Sequence, residues 1–353
     1  MTADESRIRS VLDRFAARAD VGAVSFALAT PSTGWSMLYE SESPARPYFI
    51  GSITKLYTAA IIMQLRQEGV LGLDDPITTF LDPDLVSGIH VYRETDYSEQ
   101  ITVRHLLSHT SGLPNYLMQP RDDGGSVFGD ALERDRGWTF DQALGVTRTM
   151  RPAFPPGTSR RAHFSHTNYA ILGRIIEQAT SVPWEAAVAE RIIGPLGLAG
   201  TWSFSVGDVD RYDGVSPVLH GRRTVRLPLT MASVRAQGGI VSTAEDGIVF
   251  LRALLGGSLF DRQFVGEMTG DWRRLTFPSH AGVGIMRSRI SALASRGGPR
   301  EFVGHPSSTG AVLYFAPGAG LFISGTINQM QNADVSRRLL AQLAVAAKGI
   351  VGA

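Results

Sequence analysis

Ser52 and Lys55 are the residues whose types and spacing could do chemistry. They lie in Gly51-Ser52-Ile53-Thr54-Lys55-Leu56, at the head of an apolar run that continues through Ala59, Ile62 and Leu65. Side chains three apart on a helix share a face, so an amine at 55 reaches a hydroxyl at 52. A serine hydroxyl is a weak nucleophile until a base takes its proton, and a lysine made neutral by burial can be that base. A helix start adds free N–H groups and the positive end of the helix dipole, where an oxyanion would develop. Ser-x-x-Lys also arises by chance, and then reads as a helix cap beside a surface lysine. Here the lysine interrupts an otherwise apolar turn, which argues for burial.

The elements that must hold this pair come from both ends of the chain. Ile8, Val11, Leu12 and Phe15 form one apolar stripe on an N-terminal helix. Val24, Phe26 and Leu28 alternate with smaller residues as a strand does, and Trp35 to Glu40 reads as its return after Pro31-Ser32-Thr33-Gly34. The far end mirrors this order. Ala311–Phe315 and Leu321–Ile327 read as strands around Pro317-Gly318-Ala319-Gly320, and Asp334 opens a helix carrying Val335, Leu339, Leu340 and Leu343. The expected fold is therefore α/β (α+β), an antiparallel sheet flanked by N- and C-terminal helices. The expected domains are an α/β lobe from 1–70 and 235–353 and an inserted, mostly helical lobe from 71–234, with the site in the cleft between them.

Within the inserted part, helices are expected over Ile101–His109, Thr167–Thr180 and Trp184–Ile193. Ser242-x-x-Glu245 reads as a capping box opening another. The polar, Gly-rich stretch from Gln119 to Gly137 reads as a mobile loop.

Composition narrows the function. A net charge of +1 in 353 residues, with no Lys/Arg cluster larger than short pairs such as Arg160-Arg161 and Arg222-Arg223, argues against a nucleic-acid surface. With no cysteine there is no disulfide, thiolate metal site or cysteine nucleophile. No secretory signal and no run of 18 apolar residues is evident, so the expectation is a cytoplasmic protein without a membrane partner, acting on a small molecule, with oligomeric state open.

Ser52-x-x-Lys55 resembles the active-site motif of class C β-lactamases, DD-peptidases and related serine esterases. Further segments resemble that family in the same order: Ile101 through Leu113, Pro156-Gly157-Thr158, Phe164 through Gly173, Gly194 through Leu198, Gly239 through Asp246, and Gly304-His305. The resemblance covers roughly residues 45 to 330. Two motifs depart from the pattern. The family's Tyr-x-Asn stands here as Phe164-Ser165-His166, without the phenol that shuttles a proton with the lysine. Its His-x-Gly or Lys-Thr-Gly stands as His305-Pro306-Ser307, with serine in place of the glycine that lets a substrate backbone pass.

The resemblance implies a cleft lined by Ser52, Lys55, Phe164, His166 and His305, with the Ser52 and Ser308 N–H groups as oxyanion hole. Ser307 and Ser308 would border the substrate. His166 could act as general base in place of the phenol, since an ordinary imidazole pKa of about 6.5 suits that work. The plainer alternative is a histidine bonded to a nearby carbonyl. His163 and His166 form His-x-x-His without a third ligand nearby, so neither a metal nor another cofactor is expected. His105 and His109 read as structural. Tyr57, Tyr116 and Tyr169 read as packing residues, with Tyr116 placed to rim the pocket, where it could supply a displaced phenol.

The expected activity is a serine acyl-enzyme catalyst, a hydrolase or acyltransferase acting on an ester or amide of a small molecule. The alternatives are a ligand-binding protein on the same scaffold, or non-acyl acid/base chemistry by His166 and His305.

Overall fold

The computed structural model describes residues 2–276, 278–331 and 333–351 of the chain. Its main sheet has eight strands, all paired antiparallel. From one edge they run Arg273–Arg274, Ser279–Ala281, Met286–Arg289, Glu301–Pro306, Ala311–Ala316, Leu321–Thr326, Ser25–Thr30 and Trp35–Glu40. The two chain ends meet where Ser25–Thr30 pairs with Leu321–Thr326.

Strand periodicity divides the side chains between two cores. Phe26, Leu28, Tyr314 and Ile323 face a layer made by the helices Ala3–Ala16 and Ala333–Ala346, where Ile8, Leu12, Val335, Leu339 and Leu343 are buried. Ala27, Ala29, Leu313 and Phe322 face the other way, into a larger core shared with the helix Thr54–Gln67 and the helix Ala244–Gly256. That second core runs without a break into the segment between residues 71 and 234, through Leu106, Leu107, Ile171, Leu172 and Trp184.

The helix Val103–Leu107 starts on a Thr102 cap, and the helix His166–Thr180 on a Ser165 cap. Trp184–Val188 is α-helical and then widens into a π turn over Ala189–Ile193. Two expectations change. Thr243, not Ser242, caps the helix Ala244–Gly256, accepting from the Asp246 N–H. Ser242 is held in the strand Ile240–Ser242 by pairing with Tyr48, and its hydroxyl lies 2.7 Å from Thr201 Oγ1. The polar stretch before Gly137 contains a helix, Val127–Glu133, capped by Ser126 and flanked by Arg121 and Arg136 on Asp130. No described helix is long and apolar enough to cross a membrane.

Candidate active site

The turn that carries Ser52 is built where three segments converge. Tyr48–Phe49 pairs with Ile240–Ser242 and leads into a single 3₁₀ turn, Gly51–Ile53, that carries Ser52 just ahead of the helix Thr54–Gln67. Three buried side chains of that helix's first turns then clamp it to the Arg235–Gly239 bend and to Ile240 just after it. Thr54 Oγ1 accepts from the Ile240 N–H at 3.1 Å, Lys55 Nζ donates to the Gln237 carbonyl at 2.6 Å, and Thr58 Oγ1 donates to the Ala236 carbonyl at 2.7 Å. The bend itself packs on the helix His166–Thr180 at Gly173, where a Cβ would come within 2.5 Å of the Ala236 Cβ. Only glycine allows that approach.

Lys55 Nζ lies 3.1 Å from Ser52 Oγ, and the lysine side chain is fully buried. Burial without a carboxylate partner penalises the ammonium form and pulls its pKa well below the ordinary lysine value. The amine is thereby poised to receive the Ser52 proton.

Phe164 and Tyr169 present their rings to Nζ, with centroids at 5.1 and 5.5 Å. Phe164 thus stands beside the amine without a hydroxyl to relay a proton, and the Tyr169 hydroxyl is committed to the Leu107 carbonyl at 3.2 Å. Three imidazoles surround Phe164: His109, His166 and His305, with ring centroids at 4.6, 5.3 and 6.3 Å.

His166 opens its helix and faces the cleft that also exposes Ser52 and Ser308. Its Nδ1 lies 3.2 Å from Asn115 Oδ1, an acceptor, so the Nδ1 carries the proton and Nε2 keeps its lone pair. Burial first, and then the cost of placing a second positive charge near Lys55, His109 and His305, hold its pKa well below the ordinary imidazole range. This departs from the ordinary value near 6.5 expected from sequence, because the helix start that carries it is enclosed. His305 is buried, its Nδ1 donates to the Pro306 carbonyl, and burial with Lys55 nearby lowers its pKa to about 3.

The sequence resemblance agrees with this geometry, because a profile of the beta-lactamase family matches residues 22–348. The chain belongs to the beta-lactamase family. Among its sequence relatives, a putative penicillin-binding protein of Bacillus subtilis is 25% identical over 65% of this chain and 52% of its own length. Esterase EstB of Burkholderia gladioli is 29% identical over 51% of this chain and 45% of its own length. The chain spans about half the length of these relatives. A D-stereospecific amidohydrolase of Streptomyces superposes with a TM-score of 0.76 at 26% identity, covering 95% of this chain and 97% of that one. D-amino acid amidase of Ochrobactrum anthropi shares the fold, with a TM-score of 0.78 at 23% identity over 99% of both chains.

Within this beta-lactamase-family site, the structure brings Ser52, Lys55, Phe164, His166, Ser307 and Ser308 together. Ser307 Oγ accepts from the Ser52 N–H at 3.1 Å. His305 stands behind Phe164 and does not line the Ser52 cleft. Tyr116 is turned away: its hydroxyl accepts from Trp138 Nε1 at 2.9 Å and Gln237 Nε2 at 2.6 Å, on a separate cavity.

Two contributors escaped the sequence reading. Gln237 acts through its main-chain carbonyl, which leaves no side-chain signature. Phe128 joins Leu117, Met118, Met231, Val234 and Met330 in walling the cleft with apolar surface, and comes from the stretch read as a loop. His109 packs on Phe164, and its Nδ1 lies 3.2 Å from the Ser165 N and 3.0 Å from the Asn168 Nδ2, contacts that hold the Phe164–His166 turn in place.

Proposed function

We propose that the protein is a serine acyl-enzyme catalyst acting on an ester or amide of a small, largely apolar molecule. The observation that carries this reading is the buried Lys55 amine 3.1 Å from Ser52 Oγ. Ser52 Oγ attacks the acyl carbon as its proton passes to Lys55, and the Ser52 and Ser308 N–H groups receive the developing oxyanion. His166 Nε2, its lone pair free and its ring in the same cleft, draws the proton from the water or alcohol that releases the acyl group. Phe164 supplies no proton relay and shields the amine from water instead.

The cleft wall supports the substrate class. His166 is its one ionisable side chain among the described residues, and Leu117, Met118, Phe128, Met231, Val234 and Met330 favour an apolar acyl or leaving group. The activities for which the similar esterase and D-stereospecific amidohydrolase are named agree with ester or amide cleavage.

Intact-mass analysis after exposure to a fluorophosphonate and to activated esters tests the reading. One adduct, lost in Ser52→Ala, is expected. An adduct on another serine, or none on folded protein, overturns it. Turnover that survives Ser52→Ala would move the chemistry to His166 and His305.

A further inference from the structure

The Ser52 N–H, needed for the oxyanion, already has a partner inside the protein. Ser307 Oγ accepts from it at 3.1 Å and from the Thr309 N–H at 3.1 Å. Ser307 Oγ also lies 2.9 Å from Thr309 Oγ1. The single hydroxyl proton of Thr309 goes to the Phe49 carbonyl at 2.9 Å, so within the serine–threonine pair Ser307 is the donor. Both lone pairs and the proton of Ser307 are therefore used. Such a fully satisfied hydroxyl is a stable resident and not a passing contact.

The nucleophile turn is shaped around this hydroxyl. Gly51 has φ of +51°, and a Cβ there would come within 2.2 Å of Ser307 Oγ and 2.9 Å of Thr309 Cγ2. The neighbouring Ser308 N–H, by contrast, has no partner among the described residues.

We propose that the Ser307 hydroxyl occupies half of the oxyanion hole at rest, standing in for the substrate's carbonyl oxygen, and that it must rotate away for acylation. The inference rests on the acyl-enzyme reading above. In acylation the Ser52 Oγ–C bond forms, the carbonyl π pair moves onto oxygen, and the Ser52 proton goes to Lys55. The new oxyanion meets the free Ser308 N–H at once, but the Ser52 N–H only after Ser307 leaves. Removing one oxyanion donor from such sites costs about 10²–10³ in rate. Ser307 thus makes the site slow towards weak acceptors and selects acyl groups whose oxygen displaces a hydroxyl.

The test compares phosphonylation of Ser52 by a fluorophosphonate in wild type, Ser307→Gly and Ser307→Ala. Here the Ser52 Oγ–P bond forms, fluoride departs, the Ser52 proton goes to Lys55, and the phosphoryl oxygen takes the oxyanion place. Both variants are expected to label about tenfold faster or more, with the gain in the limiting rate constant and little change in half-saturating concentration. Ser307→Ala keeps a Cβ in the turn and decides the matter should Ser307→Gly not fold. Labelling of Ser52 in wild type that is no faster in a folded variant overturns the inference and leaves the acyl-enzyme reading standing. Absence of labelling from every folded protein overturns both.

Discussion

The Lys55 amine sits closer to the main-chain carbonyl of Gln237, at 2.6 Å, than to the hydroxyl of Ser52, at 3.1 Å. A carbonyl can only accept, so one N–H is always spent on Gln237. That bond orients Nζ, and a neutral amine so held has a lone pair left for the Ser52 proton. The carbonyl is in turn held by the bend at Arg235, a residue with φ of +31° whose guanidinium bonds Glu177 and Glu185, each at 2.6 Å. Positioning of the Lys55 amine is thus a property of the Arg235–Gly239 bend as much as of the helix Thr54–Gln67.

Lys55→Met is expected to lower kcat/KM by about 10²–10⁴, the usual cost of a lost general base. It also makes a stability prediction with a definite sign. The folded pKa of Lys55 lies well below 10.5, so between the folded and unfolded values the unfolded chain binds one more proton. Wild-type stability therefore rises with pH through that window, relative to the variant, by up to about 1.4 kcal/mol per pH unit. Urea denaturation of both proteins at pH 7 and pH 9 checks this. A stability difference that is flat with pH would show a charged, solvated lysine.

His166→Asn is expected to lower kcat/KM by roughly 10²-fold on an ester substrate. The imidazole must be neutral to accept a proton, and its pKa is depressed by burial and by Lys55, His109 and His305. Its contribution is therefore full at neutral pH and fails only as pH falls below the ordinary histidine range. A pH–rate profile of wild type and variant reads this directly, and a wild-type limb at pH 6–7 that the variant lacks would contradict the enclosed geometry. Adding Phe164→Tyr to His166→Asn, which restores Tyr-Ser-Asn, should recover part of the rate.

Penicillins and cephalosporins are expected to turn over weakly or not at all. In the resembling β-lactamases a phenol beside the lysine serves deacylation, and Phe164 brings only a ring to within 5.1 Å of Nζ. Nitrocefin hydrolysis should fall about 10²–10⁴-fold below an ordinary enzyme turnover of about 10 per second. Stopped-flow and steady-state assays at saturating nitrocefin measure it, and ordinary turnover would mean that another group does the work of the phenol.

Tyr116→Phe separates a packing tyrosine from a displaced proton shuttle. The change leaves Trp138 Nε1 and Gln237 Nε2 without their acceptor, a cost of about 1–3 kcal/mol for a buried donor. Thermal unfolding should register that loss, while kcat/KM changes by less than about tenfold. A loss of activity as large as that of Lys55→Met would place the phenol in the proton path.

Much of the architecture was legible because it is local. Apolar stripes at helical spacing over Ile8–Phe15 and strand alternation at Phe26 and Leu28 depend on neighbours a few residues away. The Ser52–Lys55 pair was legible for the same reason, since one helical turn brings them together whatever the rest of the chain does. Ser242 was misread as a cap because a capping pattern and a strand end look alike until Tyr48, nearly two hundred residues away, pairs with it.

The sequence by itself thus determined which groups could react: a serine and lysine on one face, a phenylalanine where a phenol would stand, a serine where a glycine would. Only the tertiary structure decided their states. The low pKa of Lys55 comes from burial by Phe164 and Tyr169 without a carboxylate, its direction from a carbonyl at residue 237, and the tautomer of His166 from Asn115. The partner of the Ser52 N–H is a side chain at residue 307. Desolvation and hydrogen-bond direction depend on atoms brought together from distant positions in the chain, and no local pattern of residue types records them.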